Sequence, residues 1–112
     1  MAVASASIER GAVYLVALDP TLGSEIRKTR PCLVVSPDEL NKNLRTAIVA
    51  PMTTGGHAYP WRIECRFQKR AGFVALDQLR TVDRQRLITR IGRLSPQTVA
   101  GVLETLQEMF AP

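Results

Sequence analysis

The chain has 112 residues, with 15 Lys and Arg against 10 Asp and Glu and a formal net charge of +5 at pH 7. That length fits one domain, spanning 1–112. At 46% hydrophobic and 22% charged, the composition is that of a globular chain and argues against disordered, collagen-like and disulfide-scaffold classes. No apolar run approaches the ~20 residues that span a bilayer, so no membrane partner is expected, while the positive charge favours a polyanionic one.

The N-terminal MAVASASIER lacks the basic and apolar regions of a secretory signal. Residues 1–8 read as a loose tail, and the expected location is cytoplasmic. Ala12 to Leu18 is apolar and β-forming, closed by Asp19-Pro20; Cys32 to Val35 and Thr46 to Ala50 are short apolar runs bounded by prolines. Such runs fit buried strands. Trp61, Ile63 and Cys65 alternate with Arg62, Glu64 and Arg66, the period of a strand with one wet face. A turn at Ala71-Gly72 leads into a strand from Phe73 to Leu76, and a polar turn or short helix at Asp83 to Arg86 precedes a strand from Leu87 to Ile91. Ser95 and Pro96 supply an N-cap and a first helical residue. Val99, Val102, Leu103, Leu106 and Phe110 then follow at helical spacing. The expected fold is mainly β with a C-terminal helix, built as a small, strongly bent barrel.

Two connections, Pro20 to Thr29 and Thr53 to Pro60, exceed hairpin length, and long loops on a compact barrel carry binding groups. The first holds Glu25, Arg27, Lys28 and Arg30 just before Pro31. Most such runs are solvated charge, but Arg30 abuts a buried strand, and a fixed guanidinium is a fork of donors shaped for phosphate. The second opens with Thr53, Thr54, Gly55, Gly56 and His57. It reads either as a flexible turn with self-capping hydroxyls or as a place where a substrate backbone comes close and a Thr hydroxyl bonds a phosphate or ribose. His57 reads first as a loop residue. Tyr59 and Trp61 are the best candidates for stacking a base, although Trp61 fits the core equally well. Asp77, Gln78 and Arg80 form a third cluster, with Asp77–Arg80 readable as a local ion pair; Arg84, Arg86, Arg90 and Arg93 continue it as a basic band, which favours nucleic acid. Cys32 and Cys65 lie in apolar segments with no Cys or His at ligand spacing. They read as buried thiols, and no metal site is expected.

Taken together, RGAVYLVALDPTLGSEIRKTRPCLVVSP at 10–37, IVAPMTTGG at 48–56, VALDQLRTVDRQRL at 74–87 and the tail LSPQTVAGVLETLQEMF resemble the MazF/PemK family of toxin endoribonucleases. The resemblance implies an SH3-like barrel that forms a homodimer. It implies cleavage of single-stranded RNA (mRNA) at short motifs with neither metal nor organic cofactor, and a MazE-like antitoxin as partner. Matched residue by residue, the essential Arg before the strand Pro is Arg30, the Thr of the PxTT loop is Thr53, and the Glu of the GSE motif is Glu25, a candidate for orienting Arg30. A second-tier acid is Asp77; the plasmid-borne branch has an Arg two positions earlier, where this chain has Ala75. Arg27, Lys28, Thr54, Gln78, Arg80, Tyr59 and Trp61 are the expected supporting RNA contacts. The rival readings are a gyrase-poisoning toxin of the CcdB type on the same barrel, acting through an aromatic-bearing C-terminal helix, and an RNA-binding barrel without catalysis.

Overall fold

The computed structural model describes residues 8–112. Seven strands, β1 (Ala12–Ala17), β2 (Thr29–Val34), β3 (Thr46–Thr53), β4 (Arg62–Phe67), β5 (Arg70–Ala75), β6 (Arg80–Asp83) and β7 (Leu87–Arg93), join two helices, α1 (Asp38–Asn43) and α2 (Pro96–Met109). The strands form one curled sheet in the order β4-β5-β3-β2-β1-β7, with β6 also paired to β3. All pairings between the named strands are antiparallel. The architecture is mainly β with a C-terminal helix, as the pattern of short apolar runs predicted; the expected bent barrel takes the form of a curled half-barrel sheet whose end strands β4 and β7 do not pair. The expected tail lies outside the described residues except for Ile8, which is buried in the core.

Both faces of the sheet's centre are covered. Tyr14, Val16, Cys32, Val34, Val49, Val82 and Leu87 pack on one side; Val13, Leu33, Ala50, Met52, Cys65, Val74 and Leu76 pack on the other, against Leu94 and Val102. Two-sided burial is why β1 and β2 read as unbroken apolar runs and not as alternations. Helix α2 starts where expected, with the Ser95 hydroxyl accepting from the Thr98 N–H at 3.2 Å and Pro96 in the first turn. It contributes Val99, Val102 and Leu106 to the second core.

Strands β4 and β7 form the two ends of the sheet and share no ladder. Side chains close the seam instead. A Cβ on Gly92 would lie 2.9 Å from the Phe67 ring, so the ring sits directly on that glycine, and Gln68 Nε2 donates to the Ile91 carbonyl at 3.3 Å.

Three local features depart from the expectations. The β4–β5 turn is Gln68-Lys69, both at positive φ (51° and 67°) and flanked by the pair Phe67–Arg70; this is the backbone of a type I′ turn. Gly72, expected in that turn, lies inside β5, where a Cβ would fall 2.0 Å from the Thr53 carbonyl oxygen. Helix α1 and strand β6 lie in segments too short and polar to carry a period. Helix α1 is anchored by a buried exchange in which Asn41 Nδ2 donates to the Ser36 carbonyl at 3.0 Å and the Ser36 hydroxyl donates to Asn41 Oδ1 at 2.5 Å.

Gly72→Ala forces a methyl into a backbone oxygen that has no flexible side chain to yield. It is expected to destabilise the fold by about 3 kcal/mol or more, whereas Gly55→Ala, facing open space, should stay within about 0.5 kcal/mol of the parent; thermal denaturation of the two variants decides this. Cys32 and Cys65 are free and buried, and burial pushes the Cys32 thiol up to about 12. Neither thiol is expected to react with a disulfide reagent at pH 8 in the native protein, and both should react in denaturant.

Candidate nucleic-acid cleavage site

The site forms where β2 enters and β3 leaves the sheet. Cys32 pairs with Pro51 at the last rung of the β2–β3 ladder, two residues along each strand from Arg30 and Thr53. Pro31 and the β1 ladder, in which Arg30 opposes Val16, hold the Arg30 backbone as the proline spacing predicted. Its Nε donates to the Arg27 carbonyl at 3.2 Å. Thr53 is fixed on its other side by pairing with Phe73 of β5, and its hydroxyl donates to the Gly55 carbonyl at 3.2 Å. Arg30, Thr53 and Thr54 line one cleft of about 560 Å³.

The opposite wall comes from the β4–β5 hairpin: Cys65, Phe67, Gln68, Arg70 and Gly72. None of these was a sequence candidate. Arg70 adds a cation to the cleft, and only the folded hairpin brings it there, because the Gln-Lys turn carries none of the Asn, Asp or Gly that mark such turns. Burial pushes the Cys65 thiol up, so it faces the cleft as a neutral group.

Glu25, Asp77, Gln78 and Arg80 gather around a second, separate cleft of about 400 Å³, with Ile26, Pro51 and Leu79. Glu25 does not pair with Arg30 here. Its Oε1 accepts from the Leu22 N–H at 2.5 Å and so shapes the β1–β2 loop. Gln78 Oε1 accepts from the Ile26 N–H at 3.2 Å, tying that loop to the segment after β5. Arg27 and Lys28 are exposed on the same loop.

Asp77 pairs with Arg62, not with Arg80. Arg62 Nε and Nη2 reach Asp77 Oδ1 and Oδ2, each at 2.8 Å. The guanidinium holds the Asp77 carboxyl below the usual carboxylate range, chiefly through these hydrogen bonds. Arg62 lies directly opposite Ala75 in the β4–β5 ladder, so an arginine reaches this acid from the neighbouring strand.

The basic band is corrected by the same contacts. Arg80 Nη1 donates to the Leu18 carbonyl at 3.0 Å. Arg86 Nη1 donates to the Ala17 and Asp19 carbonyls at 2.9 and 2.6 Å. Arg84 Nη2 donates to the Leu44 carbonyl at 2.8 Å and also to that of Asn41, and Arg90 pairs with Glu9 at 2.9 Å. Arg80, Arg84, Arg86 and Arg90 are thus engaged within the fold, while Arg93 of the same band is exposed. Tyr59 and Trp61 are exposed and stack on one another, their centroids 5.2 Å apart; the core alternative for Trp61 is thereby set aside. His57 lies in the exposed loop, edge-on to Tyr59.

Known proteins are similar to this chain over nearly its whole length. Endoribonuclease EndoA of Bacillus subtilis is 38% identical over 111 residues, covering 93% of this chain and 95% of that protein. Endoribonuclease PemK of Escherichia coli is 33% identical over 108 residues, covering 88% of this chain and 81% of that protein. Among solved structures, MazF from Deinococcus radiodurans superposes with a TM-score of 0.81 at 24% identity, covering 91% of this chain and 94% of that one. A mycobacterial endoribonuclease in complex with its cognate antitoxin reaches 0.79 at 21% identity, covering 95% and 98%. The family model described as "PemK-like, MazF-like toxin of type II toxin-antitoxin system" matches residues 9–110. With the fold and these relatives in agreement, the chain belongs to the PemK-like, MazF-like family of type II toxins.

Proposed function

We propose that the chain is the toxin of a type II toxin–antitoxin pair and an endoribonuclease that cuts single-stranded RNA, messenger RNA included, at short sequence motifs in the cytoplasm. The observation that carries this reading is the convergence of Arg30 and Thr53, from adjacent strands, on one open cleft. Relatives named as endoribonucleases support cleavage over the gyrase-poisoning alternative.

RNA carries its own nucleophile. The 2′-hydroxyl gives up its proton as its oxygen attacks the adjacent phosphorus, the bond from phosphorus to the 5′-oxygen breaks, and that oxygen takes up a proton and leaves as a 5′-hydroxyl, while a 2′,3′-cyclic phosphate forms with no net gain or loss of protons. The protein's task is to align this displacement and spread the charge that grows on the phosphoryl oxygens. A guanidinium offers donors and no acceptor, so Arg30 acts as the charge-stabilising donor and not as a base. Thr53 trades its present bond to Gly55 for one to a phosphate oxygen. Thr54, Arg27, Lys28 and Arg70 hold neighbouring phosphates, and Glu25 and Gln78 set the loop that bears Arg27 and Lys28. The step draws on neither metal nor cofactor.

Two partners complete the proposal. A second copy of the chain extends the half-barrel's groove as a homodimer. A MazE-like antitoxin with an acidic segment covers that groove, in keeping with the net charge of +5 and with the mycobacterial relative solved with its antitoxin.

Purified protein is expected to cut single-stranded RNA in EDTA and to leave 2′,3′-cyclic phosphate and 5′-hydroxyl ends; cleavage that requires added magnesium would sink the mechanism. Arg30→Ala should keep its thermal unfolding midpoint and lose ~10²–10³ in single-turnover rate, as removal of one preorganised donor does. Thr53→Val should fall in the same direction by a smaller factor. Sedimentation equilibrium is expected to return twice the 12.4 kDa mass of one chain.

A further inference from the structure

The loop that begins at Thr53 ends in an aromatic surface for which the fold itself has no use. The Tyr59 and Trp61 rings lie 5.2 Å apart and within 4° of parallel, and both are exposed, at 44% and 39%. His57 meets Tyr59 edge-on at 6.3 Å. The backbone beneath is held from two sides. The Arg62 N–H donates to the Tyr59 carbonyl and the Leu76 N–H to the Trp61 carbonyl, each at 3.0 Å. Then the Arg62 guanidinium grips both oxygens of Asp77 at 2.8 Å. Directly opposed residues share a face of a sheet, so the small side chain of Ala75, opposite Arg62, leaves room for that reach.

We infer that Tyr59 and Trp61 form a shelf on which one unpaired base of the RNA strand stacks, and that Arg62 positions the shelf through its pair with Asp77. This rests on the ribonuclease reading and adds to it a site that selects where the strand seats. Unpaired bases expose flat π-faces, and proteins that hold single strands meet them with aromatic rings. Here the two rings are stacked before any ligand arrives, so little ordering is needed on binding. The shelf's place follows from the ladder. Thr53 opposes Phe73, Phe73 opposes Glu64, and Trp61 lies three residues before Glu64. Two strand spacings of ~4.8 Å and three residues of ~3.3 Å put the shelf roughly 14 Å from Thr53. The stacked base therefore belongs to a neighbour of the scissile nucleotide. The shelf governs seating, and the chemistry stays with Arg30.

Trp61 is the chain's single tryptophan, so its emission reports the shelf directly. The probe is a dye-labelled 2′-O-methyl RNA oligonucleotide, which has no free 2′-hydroxyl to attack. Trp61 emission should quench with the same midpoint as the rise in dye anisotropy. Trp61→Leu should raise the Kd for this probe, and the KM for cleavable RNA, by about 5- to 150-fold, the range of a lost base–aromatic stack. Its kcat should hold within about twofold, and Trp61→Phe, which keeps a ring, should recover most of the loss. Arg62→Ala should raise KM in the same way, with Arg62→Lys recovering only part, because an ammonium lacks the fork that grips both oxygens. Thermal unfolding of each variant separates these effects from misfolding. Binding with unchanged Trp61 emission and an unchanged KM in Trp61→Leu overturns the shelf and leaves the ribonuclease reading intact. A fall in kcat without a rise in KM overturns it as well. A wild-type protein that neither binds the probe nor cuts RNA overturns both.

Discussion

Everything at the site depends on strand β3 having three partners. Its first half pairs with β6, its middle with β2 and its last two residues with β5. The switch between partners comes at Pro51–Met52, where a proline without an N–H falls at the point that β2 stops pairing. The sheet bends there, and the bend brings β5 so close over β3 that only a residue without a side chain fits at Gly72. Thr53 sits under that crossing. Its position beside Arg30 is therefore the consequence of a backbone-to-backbone contact, not of any interaction between the two functional side chains.

The arginines divide into two groups with different work. Arg80, Arg84 and Arg86 each donate to one or two carbonyls at the ends of strands or of α1. A carbonyl that lacks a ladder partner is costly when covered, and a guanidinium on a long stem satisfies it while its charge stays near water. Exposed cations remain on the β1–β2 loop at Arg27 and Lys28, beside α1 at Lys42 and Arg45, on the β4–β5 hairpin at Arg66, Lys69 and Arg70, and at Arg93; of these Arg70 lines the cleft together with Arg30.

Much of this was legible in the residues. The apolar runs between prolines gave β1, β2 and β3, the Ser-Pro start gave α2, and the order of motifs gave the family. Arg30 and Thr53 stand out in the sequence because each lies at the mouth of a run that has to be buried, and the fold sets both on one cleft. The misses have physical causes. Helix α1 and β6 are short and exist through tertiary bonds, the Asn41–Ser36 exchange and pairing to β3, and local pattern does not carry such bonds. The hairpin turn uses Gln68-Lys69 at positive φ, which propensity disfavours. With the turn misplaced, Gly72 looked like the turn and Arg70 stayed outside the site. Asp77 was paired with Arg80 because that partner is near in sequence, whereas the ladder delivers Arg62 from 15 residues away.

The seam between β4 and β7 gives the molecule a line of mechanical weakness. Its closure relies on one ring over Gly92, one amide on Ile91 and the apolar face of α2, and on no backbone ladder. The β4–β5 hairpin carries one wall of the cleft and the Arg62–Asp77 grip on its aromatic edge. Its strand pairing to the rest of the sheet runs through the last two residues of β3. Opening the seam would cost side-chain packing but break no strand pairing. A ligand that touches both the hairpin and the rest of the sheet would act as the missing strand pairing does in a closed barrel. It would raise the stability of the whole molecule through the very surface on which it is recognised.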